Sequence, residues 1–370
     1  SGMRVLTVNP GSSSLKLALV DDSVLVHEVV LDRWDGTMSE PLCRVLSNWS
    51  DADAAAVRFV HGGSRRASVV LDEQILAELA GLTRLAPLHQ PGSVAAAEIV
   101  LRQLHDKPVV ACFDTAFHAA MPDAARVYGL PMELSRRYGL YRYGFHGLSC
   151  QHALRRVADL VSVDPAAPRV LVVHMGAGVS VTAVRHGVGV DTSMGFTPLA
   201  GAVMATRSGS VDPGLLVHLL DSGAVRPADL GELLYHRSGL AGMSGTSGDM
   251  RDVLTARQRG SRDAELAVDV YVQQICREIG AMAASLDRLD AVVFTGGVAV
   301  HDPDLVAGIA ARLGVFGVRV VRRLLAAQGD RVVSPLGVLP RVFVITARED
   351  LELARQAEST VAQSLCGVTS

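Results

Sequence analysis

The densest set of anion-binding groups in the chain lies in a polar turn near its start, within Val5-Leu6-Thr7-Val8-Asn9-Pro10-Gly11-Ser12-Ser13-Ser14-Leu15-Lys16-Leu17. The apolar, β-branched runs on either side read as strands and the Asn-Pro-Gly-Ser cluster as the turn of a hairpin. Hydroxyls of Ser12, Ser13 and Ser14, the Asn9 amide, the Lys16 ammonium and glycine-opened backbone could all face an oxyanion there. The turn is not a Walker A loop, which needs G-x-x-x-x-G-K-[ST] running into a helix, whereas Lys16 sits on the strand that follows. Lysine occurs only as Lys16 and Lys107, and asparagine only as Asn9 and Asn48. Both rare types therefore meet in this hairpin, which suggests a site that wants a compact point charge rather than a planar guanidinium.

Four further side chains stand out from their surroundings. Arg58 interrupts the apolar strand Val57-Arg58-Phe59-Val60-His61-Gly62-Gly63; a guanidinium there either meets a structural carboxylate or reaches a ligand anion. Asp114 falls near the carboxyl end of Pro108-Val109-Val110-Ala111-Cys112-Phe113-Asp114-Thr115. Strand ends are where α/β sheets place ligand-binding side chains, although an aspartate there also caps a following turn. His146 lies in Tyr141-Arg142-Tyr143-Gly144-Phe145-His146-Gly147, a concentration of aromatic residues in a chain with only 4% of them; by itself such a histidine reads as structural. Arg207 is the only basic residue between Arg185 and Arg226, in a glycine-studded stretch of the kind that carries function. Beside Ser-Gly turns it is either a solvated arginine or an anion ligand.

Sliding the chain against itself by 165 residues lays Arg4-Val5-Leu6-Thr7-Val8-Asn9-Pro10-Gly11 over Arg169-Val170-Leu171-Val172-Val173-His174-Met175-Gly176, with five of eight positions identical. A strand, glycine turn and strand opening each half predicts two similar α/β domains facing one another, with a phosphate held between the two turns. Helices are expected over about 72–82, 93–104, from near Asp249, and over about 263–286, and an amphipathic helix over 349–365 closes the chain. Leu85-Ala86-Pro87-Leu88-His89-Gln90-Pro91 reads as a rigid loop. Ala291-Val292-Val293-Phe294-Thr295-Gly296-Gly297 reads as a buried strand ending where backbone can approach a nucleotide closely.

Composition narrows the function. A chain of 370 residues, 49% hydrophobic, buries a sizeable core, and its net charge of -3 gives no electrostatic footprint for nucleic acid. Cys43, Cys112, Cys150, Cys276 and Cys366 form no C-x-x-C pair. They read as free thiols of a reducing compartment, and no apolar run reaches the roughly 18 residues of a membrane span, so a cytoplasmic location is expected. There is no H-E-x-x-H and no G-x-S-x-G. Anion-binding turns, isolated arginines and no covalent nucleophile suit phosphoryl transfer, which works by positioning and charge neutralisation.

Taken together, Asn9-Pro10-Gly11-Ser12-Ser13-Ser14-Leu15-Lys16, Arg58-Phe59-Val60-His61-Gly62-Gly63, Phe113-Asp114-Thr115-Ala116-Phe117-His118, Tyr143-Gly144-Phe145-His146-Gly147 and Asp191-Thr192-Ser193-Met194-Gly195-Phe196-Thr197-Pro198 closely resemble the acetate kinase family, in order and over nearly the whole chain. The resemblance implies two duplicated ribonuclease-H-like domains of the actin, sugar-kinase and Hsp70 type with an active-site cleft between them. The first would span 3–147 with 347–370, the second, nucleotide-binding and dimerising, 148–346. It implies Mg²⁺-dependent transfer of a phosphoryl group from ATP to acetate, in a homodimer. On these positions Arg58 and Arg207 would neutralise the transferring group and His146 would hydrogen-bond it. Asn9 and Lys16 would orient phosphates with Ser12 and Ser14, and Asp114, Glu349 and Asn9 would serve the metal and its waters. Val60, Leu88, Phe145 and Pro198 would line the acetate pocket. His174, Gly176, Gly178, Asp249, Met250, Arg251, Gly296 and Gly297 would border the nucleotide.

The chain departs from the family pattern at a few places. His174-Met175-Gly176-Ala177-Gly178 stands for His-Leu-Gly-Asn-Gly, Gly297-Val298-Ala299-Val300-His301 for Gly-Ile-Gly-Glu-Asn, and Ser210 for an aspartate. Gln90 replaces the asparagine of Pro-Leu-His-Asn-Pro, and Leu148-Ser149-Cys150 stands for Thr-Ser-His. Most of the lost groups fall on the nucleotide side.

Overall fold

The computed structural model describes residues 2–161 and 168–367, and its chain divides into two units. Unit 1 comprises Ser1–Ala120, Phe145–His152 and Arg348–Ser370; unit 2 comprises Met121–Gly144 and Ala153–Ala347. Residues 121–144, which the sequence groups with the first domain, thus cluster with the second, and 148–152 with the first. Residues 368–370 lie outside the described part.

Unit 1 is built on a six-stranded sheet of β1 (Arg4–Pro10), β2 (Ser14–Asp21), β3 (Val24–Asp32), β4 (Ala54–Phe59), β5 (Val69–Val70) and β6 (Val109–Phe113), in the order β3-β2-β1-β4-β6-β5. β1, β2 and β3 form an antiparallel meander, β1, β4 and β6 run parallel, and β5 is antiparallel to β6. Side chains alternate between the faces with the period of two that a strand imposes. Leu6, Val8, Val57, Phe59, Ala111 and Phe113 pack on one side with Leu42, Leu79 and Val100 of the intervening helices. Val5, Ala54, Ala56, Val110 and Cys112 pack on the other with Leu148 and with Leu353, Ala354, Ala357 and Val361 of the C-terminal helix, Glu349–Gly367. That alternation selects the site: Asn9, Arg58 and Asp114 follow Val5, Ala56 and Cys112 in parity. All three emerge at the carboxyl ends of the parallel strands, on the face where the last helix begins.

Unit 2 repeats the plan in β7 (Val170–Met175), β8 (Val179–Arg185), β9 (Val188–Thr192), β10 (Ala291–Thr295), β11 (Arg331–Val332) and β12 (Arg341–Ile345), ordered β11-β12-β10-β7-β8-β9. Its meander, its parallel trio β7, β10 and β12 and its antiparallel edge strand match those of unit 1. The chain is therefore a structural duplication, as the sequence offset predicts. The second turn is one residue shorter, because Pro10 pairs with Leu15 but Met175 with Val179, so the offset falls from 165 to 164 across it. With that change the ladder irregularity between Leu19 and Val20 falls on the one between Ala183 and Val184. A bulge kept at one ladder position in both halves fixes the same local twist twice.

One expected loop is partly helical. The helix read as starting at Ser93 starts at Gln90 and takes Pro91 into its first turn, where a missing N–H costs nothing. Because Leu353 is fully buried between the C-terminal helix and the first sheet, Leu353→Ala is expected to destabilise the fold by about 2–5 kcal/mol. Urea unfolding of the variant beside the parent measures it.

Candidate active site

In unit 1 the site is built around the Arg58 guanidinium. Its Nη2 and Nε donate to Asp114 Oδ2 and Oδ1 at 2.6 and 3.2 Å, and its Nη1 donates to Asn9 Oδ1 at 3.0 Å. Glu349, the first residue of the C-terminal helix, brings Oε2 to 3.3 Å from Arg58 Nε. The Asp114 side chain is 1% exposed and that of Arg58 15%. Burial disfavours the charged guanidinium, yet Asp114 and Glu349 together hold the Arg58 pKa above its ordinary value. Burial likewise pushes the Asp114 carboxyl up, against the pull of Arg58 and of a hydrogen bond from the His146 backbone. The two-point contact is that of an ionised pair, and the raised arginine is the direction consistent with it. Arg58 thus meets a structural carboxylate at the carboxyl end of its strand.

Two carboxylates share one guanidinium, which leaves a negative charge in excess. Glu349 Oε2 is buried and accepts no hydrogen bond of regular geometry. Oxygen donors with an acceptor to spare fit Mg²⁺, which keeps several waters and takes one or two carboxylates together with substrate phosphates. Among the described residues no three His, Cys, Asp or Glu converge as a closed cage.

Around this pair the backbone is locked by buried polar side chains. Gln90, fully buried, accepts from the His61 N–H at 3.3 Å and donates from Nε2 to the carbonyls of His61 and Leu79 at 3.0 and 2.9 Å. The longer amide standing for the family's asparagine therefore has a structural task. Thr115 Oγ1 accepts from Gly62 N at 2.9 Å, and a Cβ on Gly62 would come within 2.5 Å of the Phe113 ring. Burial lowers both His61 and His118 to about 4.

His146 adopts φ +61°, the left-handed region that a non-glycine residue enters at a cost. Gly147 follows, and a Cβ there would stand 2.4 Å from the Asp114 carbonyl, which accepts the Gly147 N–H at 3.0 Å. Val60 and Phe145 are 5% and 1% exposed, and Phe145 packs edge-on to His61 with centroids 5.7 Å apart. Leu88 is 42% exposed. The hairpin tip is open, with Ser12 exposed, Ser14 half-buried and Gly11 N donating to the Ser14 carbonyl at 2.8 Å. Lys16, directly opposite Asn9, ion-pairs with Glu28 on β3 at 2.9 Å.

In unit 2 the predicted nucleotide-side residues also cluster. His174 is the penultimate residue of β7, and the Gly176 N–H donates to the Gly178 carbonyl at 3.0 Å. Gly296, at φ +91°, lies so close to Met175 that a Cβ would be 2.5 Å from its carbonyl oxygen, and Gly297 starts the next helix. Ala205 N donates to the Ala177 carbonyl at 3.2 Å, which ties the Arg207 loop to that turn. Gly248, at φ +85°, would press a Cβ within 2.4 Å of the Ala205 carbonyl, which brings Asp249 alongside. Asp249 caps the helix Met250–Gln258 through the Arg251 N–H and ion-pairs with the Arg251 side chain at 2.7 Å, while Met250 is buried. Ser210 Oγ accepts the Gly201 N–H at 2.9 Å, the use to which the residue standing for aspartate is put.

Arg207, in unit 2, lacks the carboxylate partners that Arg58 has. Its Nη1 donates to the Pro198 carbonyl at 2.9 Å, and among the described residues no carboxylate pairs with it. Burial pulls its guanidinium below the ordinary value, slightly opposed by Tyr235. A half-buried cation held by one carbonyl is a charge that an anion would satisfy.

Sequence reasoning placed the charged residues but missed their supports. His118 lies in a motif singled out for Asp114, and Gln90 was marked only as a departure. Nothing local in either stretch shows which distant carbonyl its side chain reaches.

The first unit of this α/β duplication ends its parallel strands in a buried guanidinium–carboxylate group, and the second carries an arginine with no carboxylate beside it among the described residues, two separate groups of the class that binds phosphate. The sequence profile of the acetokinase family matches residues 27–355. The chain is 34% identical to an acetate kinase of Pseudothermotoga lettingae, over 97% of this chain and 98% of that protein. It is 38% identical to one of Nostoc punctiforme, over 93% and 84%. Among solved structures it superposes on Porphyromonas gingivalis acetate kinase with a TM-score of 0.87 at 28% identity, covering 97% and 100% of the two chains. A propionate kinase of Francisella tularensis gives 0.88 at 28% identity, covering 96% and 99%. The chain belongs to the acetokinase family.

The two buried histidines set a pH dependence. Held neutral to about 4 while an unfolded histidine titrates near 6.5, they leave the unfolded chain binding more protons between those values. Stability is present above 6.5 and is lost as pH falls through the window, by about 1.4 kcal/mol per pH unit for each histidine. Urea midpoints at pH 7 and pH 5 test this, and His118→Gln should reduce the drop.

Proposed function

We propose that this chain transfers the γ-phosphoryl group of ATP to acetate, giving acetyl phosphate and ADP, and runs the reverse reaction. A carboxylate oxygen of acetate attacks phosphorus in line, the P–O bond to ADP breaks, and no enzyme nucleophile takes part. Arg58 and Arg207 neutralise the equatorial oxygens of the transferring group, and His146 hydrogen-bonds the same group. Asn9, through its contact with Arg58, keeps that guanidinium aimed, and Lys16 with Ser12 and Ser14 adds donors for phosphate at the hairpin. Asp114 and Glu349, with Asn9, hold Mg²⁺ and its waters; when bound, the ion neutralises charge on the phosphates. Val60, Leu88, Phe145 and Pro198 line the methyl pocket, and the turns at Gly176–Gly178, Asp249–Arg251 and Gly296–Gly297, beside His174, take the nucleotide. A homodimer and a cytoplasmic location complete the reading. The observation that carries it is the buried Arg58 between Asp114 and Glu349, in a chain whose relatives at 34% and 38% identity are acetate kinases.

Purified protein with Mg²⁺, ATP and acetate is expected to form acetyl phosphate, trapped as the hydroxamate. No product in either direction would refute the assignment. Arg207→Ala should lower kcat by about 10³ to 10⁵, the contribution of an arginine to a phosphoryl transition state. Because Arg207 has no carboxylate to orphan, its loss should leave the melting temperature unchanged.

The likeness to a propionate kinase makes chain length a second question. Val60, branched and 5% exposed, shortens the pocket floor, so acetate is the preferred acid. Val60→Ala is expected to raise kcat/KM for propionate relative to acetate by about tenfold, within the 1–3 kcal/mol that one methylene supplies. Specificity constants for acetate, propionate and butyrate decide it.

A further inference from the structure

The left-handed backbone at His146 needs an external restraint, and the residues after β6 supply one. A non-glycine residue at φ +61° returns to ordinary backbone unless its surroundings over-determine it. Here the peptide on each side of His146 is held from the same short segment. On one side the Gly147 N–H donates to the Asp114 carbonyl at 3.0 Å, with no room for a Cβ. On the other the Phe145 carbonyl lies 2.7 Å from His118 Nε2. A carbonyl only accepts, so Nε2 carries the proton and His118 is the Nε2–H tautomer. Its Nδ1 is buried and has no hydrogen-bond partner among the described residues, so the ring has one polar task. The side chain is wholly buried, beyond the reach of solvent or substrate.

We propose that His118 is a positioning residue for phosphoryl transfer: by donating to the Phe145 carbonyl it fixes the left-handed His146 backbone and so aims the His146 side chain. This rests on the role given to His146 in the proposed reaction. The segment Phe113-Asp114-Thr115-Ala116-Phe117-His118 then serves the site twice. Asp114 seats the arginine, and one turn later, at the end of the 3-10 turn Ala116–His118, His118 seats the histidine. Without the donor the Phe145 carbonyl is left buried and unpaired, and the 145–146 peptide turns to find another partner. Small displacements of a group that contacts the transferring atoms reduce turnover more than ground-state binding.

The test is a double-mutant cycle on purified full-length protein, read as kcat and as KM for acetate and ATP. His118→Leu should lower kcat by about ten- to a hundredfold with both KM values within about twofold. His118→Gln, which can keep an N–H near the Nε2 position, should recover most of that loss, and His118→Asn, whose amide is set further back, should not. In a His146→Ala background, His118→Leu should cost less than about twofold more. An equal loss with His146 present and absent would overturn the proposal, since His118 would then act on the fold or on Asp114. So would a Gln variant no better than Asn, a comparison that stands even if His118→Leu does not fold. An inactive parent protein would refute the proposed reaction instead, so the two failures are distinguishable.

Discussion

Everything in the first unit answers to one electrostatic constraint, the burial of Arg58 against Asp114 and Glu349. A guanidinium at the end of an apolar strand is tolerable only where carboxylates are delivered to it, and each arrives by a different route. Asp114 comes from the neighbouring parallel strand, one residue past its last ladder partner, and Glu349 opens a helix almost three hundred residues further along. The covering helix therefore does two jobs at once. Its apolar residues seal the face that carries Val5, Ala56 and Cys112, and its first residue completes the ionic group at the edge of that face.

The duplication shows how one scaffold came to hold two chemistries. By strand register Asn9 and Arg58 correspond to His174 and Thr295, and Asp114 to Ala347. The first half carries charge at these positions and the second carries neutral or small groups, with glycines at 176, 178, 296 and 297, of which Gly296 packs against the Met175 backbone. The basic group of the second half lies on a long loop instead, where Arg207 rests on one carbonyl. Strand geometry was retained on both sides, while the side chains at the strand ends diverged.

Most of this plan is legible in the sequence because it is written in local pattern. Alternation marks the two hairpins, identity at a fixed offset marks the duplication, and Ala291–Thr295 is the buried strand that its apolar run predicts. What local pattern does not carry is pairing at long range. The offset changes by one residue across the second turn, which only strand register reveals. Arg58 read equally well as an ion-pair member or as an anion ligand until Asp114 and Glu349 were placed beside it. Gln90 stands in the sequence only as a departure from the family pattern, yet its amide serves the His61 and Leu79 backbone. His118 lies in a family motif, but nothing in the sequence points to its partner, a carbonyl, since every residue type has one.

The discontinuity of the first unit also orders the protein's assembly in time. A chain made from its amino end has all of unit 2, which ends at Ala347, synthesised before the helix that begins at Glu349. Domains tend to fold as they emerge, so the second half can mature while the first sheet still shows the apolar face that awaits Leu353, Ala357 and Val361. Arg58 and Asp114 belong to strands made before unit 2, and their third charge, Glu349, is made after it. The carboxylate group of unit 1 is thus completed only after all of unit 2 has been made.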